Sequence, residues 1–435
     1  MPASFSNLSQ ELIDEVIDQV AGENANKYTL QSCSLTCRSF RNRAQSHLFR
    51  ILNIVALQCP RLSKASLLKR FQKLHDIFFG RSLLATYPRQ LVLAPTRYDS
   101  KWIDQYQVFH KILGYLKNLS NVLLHGFGPL HAFQDEAAFV ENFWKPIIQP
   151  RLTTLHLSGI QDVPMELLMY CPQLSELKLD ILTTFKPPRD GNSAFIPLRL
   201  RTLSCLWTPE AVDMLLSWKD ENGVRLLNLC NLTNFRYSIH ANYPWRPVIE
   251  LLDKFILPAA GKSLETLSLG GKYDAGSDAL VNISTTKVLK SLNCSFSLSQ
   301  SLMTNEYNYS TDPISGIVGT LNTLPKKCAL RHLNVDIQLD KRQINVDWHE
   351  REDWSSFDGA ISKWQENVGK PIDFKIAFDL TAFDTDFEGP LQVDSWLVDY
   401  REIMEAFKVT KFPLASANPS IAFVLTYSSD IHFVD

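Results

Sequence analysis

An apolar triplet of the form Leu-x-x-Leu-x-Leu recurs seven times: Leu152/Leu155/Leu157, Leu174/Leu177/Leu179, Leu200/Leu203/Cys205, Val224/Leu227/Leu229, Leu264/Leu267/Leu269, Leu289/Leu292/Cys294 and Leu330/Leu333/Val335. An internal repeat constrains a fold more than any single motif, because each copy is one unit that buries its apolar face only against the next. The middle residues advance by 22, 26, 24, 40, 25 and 41 positions, and four of these steps lie in the ~20–29-residue range that one strand and its connection occupy in such arrays. Weaker copies precede them at Leu52 with Ile54, at Leu91 with Leu93 and at Leu119/Val122/Leu124. Others follow at Phe374/Ile376/Phe378 and Ile421/Phe423/Leu425.

Leucines at alternate positions face one way from a strand, and the sequence between copies reads as helix. Thr208-Pro209-Glu210 supplies an N-cap and a proline for the first turn, Val212, Leu215, Leu216 and Trp218 an apolar face, and Gly223 a stop. Val163 through Tyr170 is a shorter version and Ile314 through Leu324 another. The expected fold is α/β, a curved parallel sheet with outer helices stacked as a solenoid over residues 51–435. The two long steps predict insertions near 234–261 and 336–371. The second carries Trp348, His349, Glu350, Arg351, Glu352, Asp353, Trp354 and Trp364, and its charge run from His349 and Glu350 to Asp353 reads as a solvated loop, since charge runs on insertions usually are.

Residues 1–50 follow a different period. Leu12, Ile13, Val16, Ile17 and Val20 line one face of a helix while Glu11, Asp14, Glu15 and Asp18 take the other. Ser9 is placed to cap the first turn, and Leu8 to pack on Ile13 as a staple. After a polar break, Leu30, Cys33, Cys37, Phe40, Ala44 and Leu48 return at spacings of three and four, which suit two short helices.

This stretch resembles the F-box, whose pattern runs Leu-Pro-x-Glu-Leu, a hydrophobic helix, Cys-x-x-Val-Cys-Arg-x-Trp-Arg and a closing Leu-Phe. The matching residues are Leu8, Glu11, Leu12, Ile13, Ile17, Val20, Leu30, Cys33, Leu35, Cys37, Arg38, Phe40, Arg41, Leu48 and Phe49. Ser9 stands for the usual proline and Phe40 for the usual tryptophan. The repeats that follow are similar to leucine-rich repeats, in an irregular version: Ile160, Leu232 and Lys272 stand where an Asn or Cys usually bonds the turn. The resemblance implies a substrate receptor of a Skp-cullin-F-box ubiquitin ligase. Its adaptor-binding residues would come from Leu8, Glu11, Leu12, Ile13, Ile17, Leu30, Cys33, Leu35 and Phe40, some of which must fill the module's own core instead. A leucine-rich scaffold with no cullin link, whose first helices cap the repeats, is the alternative.

Composition narrows the partners. Lys+Arg 44 against Asp+Glu 46 leaves a net charge of −2, so no global field draws the chain to nucleic acid or to an anionic membrane. The first residues lack the basic and apolar regions of a secretory signal, and no apolar run approaches the ~18 residues of a membrane helix; a cytoplasmic or nuclear protein is expected. Eight scattered cysteines read as reduced core residues, not as a disulfide framework.

Nothing nominates catalytic residues, a metal or a cofactor. His349, Glu350 and Asp353 lack the second histidine of a hydrolytic zinc helix. Asp373, Asp379, Asp384 and Asp386 lack EF-hand spacing, and Leu269-Gly270-Gly271-Lys272 is not a phosphate loop. The basic stretch Arg61 to Lys73 reads as an amphipathic helix on the first repeat. The residues between the strand leucines form the candidate target face: Thr154, His156, Glu176, Lys178, Asp180, Thr202, Ser204, Asn228, Ser268, Asn293, His332, Asn334 and Asp336. Of these, His156, Lys178, Asp180, Asn228, Asn293 and Asn334 are the candidate contacts for a protein substrate. Tyr243, Trp245, Trp348 and Trp354 either seal the insertions onto the repeats or supply aromatic anchors for the target.

Overall fold

The computed structural model describes residues 9–22, 27–55, 64–80, 82–94, 107–129, 145–147, 151–181, 183–188, 195–238, 246–271, 281–298, 313–340, 353–384 and 406–433. It is α/β, and it divides into two compact units, residues 1–198 with 218–226 and residues 199–217 with 227–435.

The first unit opens with three helices, α1 (Gln10–Val20), α2 (Lys27–Thr36) and α3 (Arg38–Leu48). Five parallel strands then pair in chain order: β1 (Ile51–Val55), β2 (Gln90–Ala94), β3 (Asn121–Pro129), β4 (Thr154–Gln161) and β6 (Glu176–Asp180). Two short strands, β5 (Val163–Pro164) and β7 (Phe185–Lys186), form a separate pair. The second unit holds seven parallel strands: β8 (Thr202–Leu206), β9 (Asn234–Ser238), β10 (Thr266–Gly271), β11 (Ser291–Leu298), β12 (His332–Asp340), β13 (Ile372–Asp384) and β14 (Ile421–Phe433).

Period-two alternation decides which side of each strand is dry. Leu91, Leu93, Val122, Leu124, Leu155, Leu157, Leu177 and Leu179 are buried in the first unit, and Leu203, Phe235, Leu267, Leu292, Leu333 and Phe374 form one in-register row of the second. Each such side chain contributes about 1.5–3 kcal/mol by leaving water. The sequence between strands is helical in several crossovers, as a parallel ladder requires. The basic stretch is one of these, a helix Lys64–Gly80 whose Phe71 packs 5.2 Å from Phe109.

Register corrects the repeat spacing. In-register residues Leu52, Leu91, Val122, Leu155 and Leu177 stand 39, 31, 33 and 22 apart. Leu203, Phe235, Leu267, Leu292, Leu333, Phe374 and Phe423 stand 32, 32, 25, 41, 41 and 49 apart. The Val224/Leu227/Leu229 copy is no strand: Leu229–Asn231 is one turn of 3₁₀ helix, and the strand is β9, with Phe235 and Tyr237 inward. Segment 234–261 is therefore a further strand with a helical return, Arg246–Ala260, not an insertion.

Segment 336–371 likewise holds a helix, Asp353–Val368; of the charge run expected as a solvated loop only Asp353 is among the described residues, at the start of that helix. Trp354, Phe357, Ile361 and Trp364 are spaced three and four apart on it and are buried. Trp354 meets Phe407 edge-on at 4.9 Å, and Phe374 stacks on Phe423 at 4.9 Å. Asp358, on the same helix and buried, accepts backbone N–H bonds of 2.8 Å from both Leu414 and Ala415, closing the start of the helix Pro413–Ala417.

The expected Thr208 cap is not made either. Its hydroxyl is buried without a hydrogen-bond partner while Pro209 starts the helix Pro209–Ser217, and Gly223 lies beyond that helix in a turn at φ +76°. Four of the seven described cysteines, Cys171, Cys205, Cys294 and Cys328, are buried and unbridged; Cys33 is half-buried, and Cys37 and Cys230 are exposed. Burial pushes the Cys171 thiol up to about 12. Among the described residues no helix is long and apolar enough to cross a membrane.

Candidate functional site

Two surfaces draw together residues singled out by the sequence. The first is the three-helix module. Ser9 caps α1, its hydroxyl accepting from the Leu12 N–H at 3.4 Å. Ile17, Leu30 and Ala44 form a small core on which Val20, Cys33, Phe40 and Leu48 pack half-buried. Across α1 and α3, Asp18 takes a two-pronged bond from Arg43, 2.5 Å from both Nε and Nη2, and a contact of 2.7 Å from His47 Nε2. The Arg43 guanidinium is the main reason the Asp18 carboxyl is held down at about 2, with His47 adding to it.

This core sorts the candidate adaptor contacts. Ile17 and Leu30 belong to that core and Ile13 is buried as well, so none of the three is on the surface. Leu12 is 50% and Leu35 80% exposed, and Glu11, next to Leu12 in sequence, is exposed too. Leu8 lies outside the described residues. Val16 and Tyr28, at 50% and 76%, are exposed apolar residues that were not among the candidates. Val16 could have been found, since it follows Leu12 by one helical turn. A shallow groove of about 460 Å³ runs beside Leu35, lined by Lys27, Gln31, Ser34, Gln45, Leu48 and Phe49.

The second surface is the outward row on the strands, which is different in the two units. In the first, Asn53, Val92, Leu123, His156 and Lys178 stand in register. Here His156 Nε2 meets Asp180 Oδ2, Lys178 pairs with Glu176 at 2.9 Å, and Thr154 donates to Glu176 at 3.3 Å. His125 Nδ1 lies 2.7 Å from the buried Ser158 hydroxyl. Serine, histidine and aspartate thus sit close together, but the histidine on Ser158 is not the one on Asp180, and a nucleophilic triad needs one histidine to hold both.

In the second unit the register row is Ser204, Arg236, Ser268, Asn293, Asn334, Lys375 and Val424. Asn334 Nδ2 donates to Asn293 Oδ1 at 2.7 Å and Asn293 Nδ2 donates to Ser268 Oγ at 2.9 Å. Asn293 and Asn334 are therefore brought together as expected. Asn228 is not, because it lies off the strands: its side chain accepts from the Cys230 N–H and caps the 3₁₀ turn. Arg236 and Lys375 were missed. Both alternate with buried apolar neighbours, and Lys375 was legible from Phe374 and Ile376 on either side.

Of the proposed aromatic anchors, Trp354 is buried in the core; Tyr243, Trp245 and Trp348 lie outside the described residues, as do His349, Glu350 and Lys272. Among the described residues no group of three His, Cys, Asp or Glu is placed to hold a metal ion. In comparisons with known proteins, no family model and no curated protein matches this chain.

Proposed function

We propose that this chain is the substrate-recognition subunit of a Skp-cullin-F-box ubiquitin ligase. Its F-box-like module takes a Skp-family adaptor, and its irregular leucine-rich repeats hold a protein target. The observation that carries the reading is that Leu12, Val16 and Leu35 stay exposed on a module whose core is already filled by Ile17, Leu30 and Ala44. Apolar side chains left out of a small, completed core are suited to burial against a partner. The chain then performs no chemistry. It works in the cytoplasm or nucleus by proximity, raising the effective concentration of a target lysine near the ubiquitin-charged enzyme carried by the cullin.

The test is capture of recombinant Skp-family adaptor by the full chain and by its Leu12→Glu/Leu35→Glu variant. Each buried leucine is worth about 1.5–3 kcal/mol at an interface, so capture weakens by about tenfold or more. Thermal unfolding is unchanged, because both side chains are exposed in the free chain. Undiminished capture, or none by the unmodified chain, would favour the scaffold with no cullin link.

A further inference from the structure

The outward row of the second unit has hydrogen-bonding capacity to spare. An asparagine side chain offers two N–H donors. Asn334 gives one to Asn293, and Asn293 gives one to Ser268; the second N–H of each, and the Ser268 O–H, have no partner among the described residues. The Asn293 carbonyl is occupied by Asn334 and, at 3.4 Å, by the Ser291 hydroxyl. What the middle of the row presents outward is therefore three donors and the Asn334 carbonyl, held in place by their own ladder.

Cations flank these donors. Arg236, one strand before Ser268, and Lys375, one strand after Asn334, are exposed, and neither has an ion-pair or hydrogen-bond partner among the described residues. The acids of the same face lie to either side of the row, with Asp373 two residues before Lys375 on β13. Asp373 is 2.8 Å from His332 Nδ1, and Asp336 lies two residues beyond Asn334, about 6.6 Å toward the C-terminal end of the strands. Glu265 and Lys290 pair with each other at 2.8 Å just ahead of β10 and β11. A ligand lying along the row meets the amide groups of the ladder and the positive charge of Arg236 and Lys375.

The geometry points to an anionic, extended segment of the target protein lying across β9 to β13, with one acidic side chain on Arg236, backbone carbonyls on the asparagine ladder and a second acidic side chain on Lys375. Four strand steps of ~4.8 Å separate the two cations by about 19 Å, the length of roughly six extended residues, so the acids stand about six positions apart. Val424, 48% exposed and next in register after Lys375, gives an apolar residue following the second acid a place to rest. This inference rests on the target-receptor reading and names the chemistry of the target.

Carboxylate and phosphate share the required charge, and the test separates them. Three fluorescent dodecapeptides of one sequence carry glutamate, phosphoserine or serine at positions 3 and 9, with valine at 10, and are titrated into the full chain by anisotropy. An acidic peptide is expected to bind roughly three- to tenfold more tightly than the serine peptide, the gain that two solvent-exposed charge pairs give. Binding by glutamate and phosphoserine alike means that an acidic sequence suffices; binding by phosphoserine alone means that the target must be modified. Arg236→Ser with Lys375→Ser erases the preference and Lys178→Ser leaves it. As a check against a fold defect, Arg236→Glu with Lys375→Glu reverses the preference toward a peptide with lysine at 3 and 9. No acidic preference in the unmodified chain, or a preference that survives the double variant, overturns the inference. Adaptor capture on the same samples reports separately on the F-box reading, since Arg236 and Lys375 lie outside the three-helix module.

Discussion

The outward strand faces of the two units differ in how their polar groups are used. In the first, His156 is bonded to Asp180, Lys178 to Glu176 and His125 to Ser158, while Val92 and Leu123 fill the neighbouring register positions. In the second, the asparagine ladder is directional and unfinished, and Arg236 and Lys375 stand at its flanks without partners among the described residues. A closed set of pairs adds rigidity, but a ligand must break those pairs before it can bind. An open set costs the free chain little, because water satisfies it, and gives a ligand donors already aimed.

The contrast can be tested through stability, and the largest effect is expected on the helical side of the second unit. Asp358 is the one charged side chain buried among the described residues, and both its oxygens hold backbone N–H groups. Asp358→Ala leaves those amides without acceptors, the Ala415 one in a buried place, and costs about 2 kcal/mol. Thermal unfolding reads the loss, and faster hydrogen exchange at Leu414 and Ala415 locates it. An unchanged melting curve would mean that the second unit is as loosely held there as on its ladder face.

A smaller effect separates the two histidine pairs. His156 and Asp180 are each less than a quarter exposed, whereas His332 and Asp373 are each more than half exposed. His156→Ala is expected to cost about 1 kcal/mol, and His332→Ala about 0–0.5 kcal/mol, the ordinary worth of a solvated pair. Denaturant unfolding of the two variants compares them. Equal costs would erase the distinction between a closed and an open face.

An effect no larger than that of His156 belongs to the module. Because the Asp18 carboxyl is held at about 2 when folded, its bridge to Arg43 and His47 stabilises the chain above the usual carboxylate range, and that stabilisation is lost as pH falls through about 2. The side chain is 39% exposed, so solvent screening reduces its worth to about 1 kcal/mol. Acid unfolding followed between pH 5 and 2 should therefore be shallower in Asp18→Asn than in the unmodified chain. Parallel curves would show the bridge to be silent.

Much of the strand inventory was legible because leucines alternating with polar residues are sufficient to mark a half-buried strand: β4, β6, β8, β10, β11 and β12 stand where Leu155, Leu177, Leu203, Leu267, Leu292 and Leu333 put them. The aromatic strands were harder. Phe235 and Tyr237 carry the same period as a Leu-x-Leu pair, but the triplet Val224/Leu227/Leu229 just before them matched the motif more closely and concealed them. Periodicity also marked the helix Asp353–Val368 through Trp354, Phe357, Ile361 and Trp364, but the pattern was overshadowed by the charge run just before it.

The sequence alone determined which residues are apolar, at what period and in what order, and hence an α/β chain of parallel strands with a separate helical start. Tertiary structure decided what each polar residue does. Whether Lys178 is free or spent depends on Glu176 beside it, whether Asn228 faces a partner depends on a turn that takes it off the sheet, and whether Asn293 is a lone amide or the centre of a ladder depends on Ser268 and Asn334, 25 and 41 residues away. Apolar burial is non-directional and follows local pattern, whereas a hydrogen bond is directional and needs its partner within about 3 Å, a distance that only strand register sets.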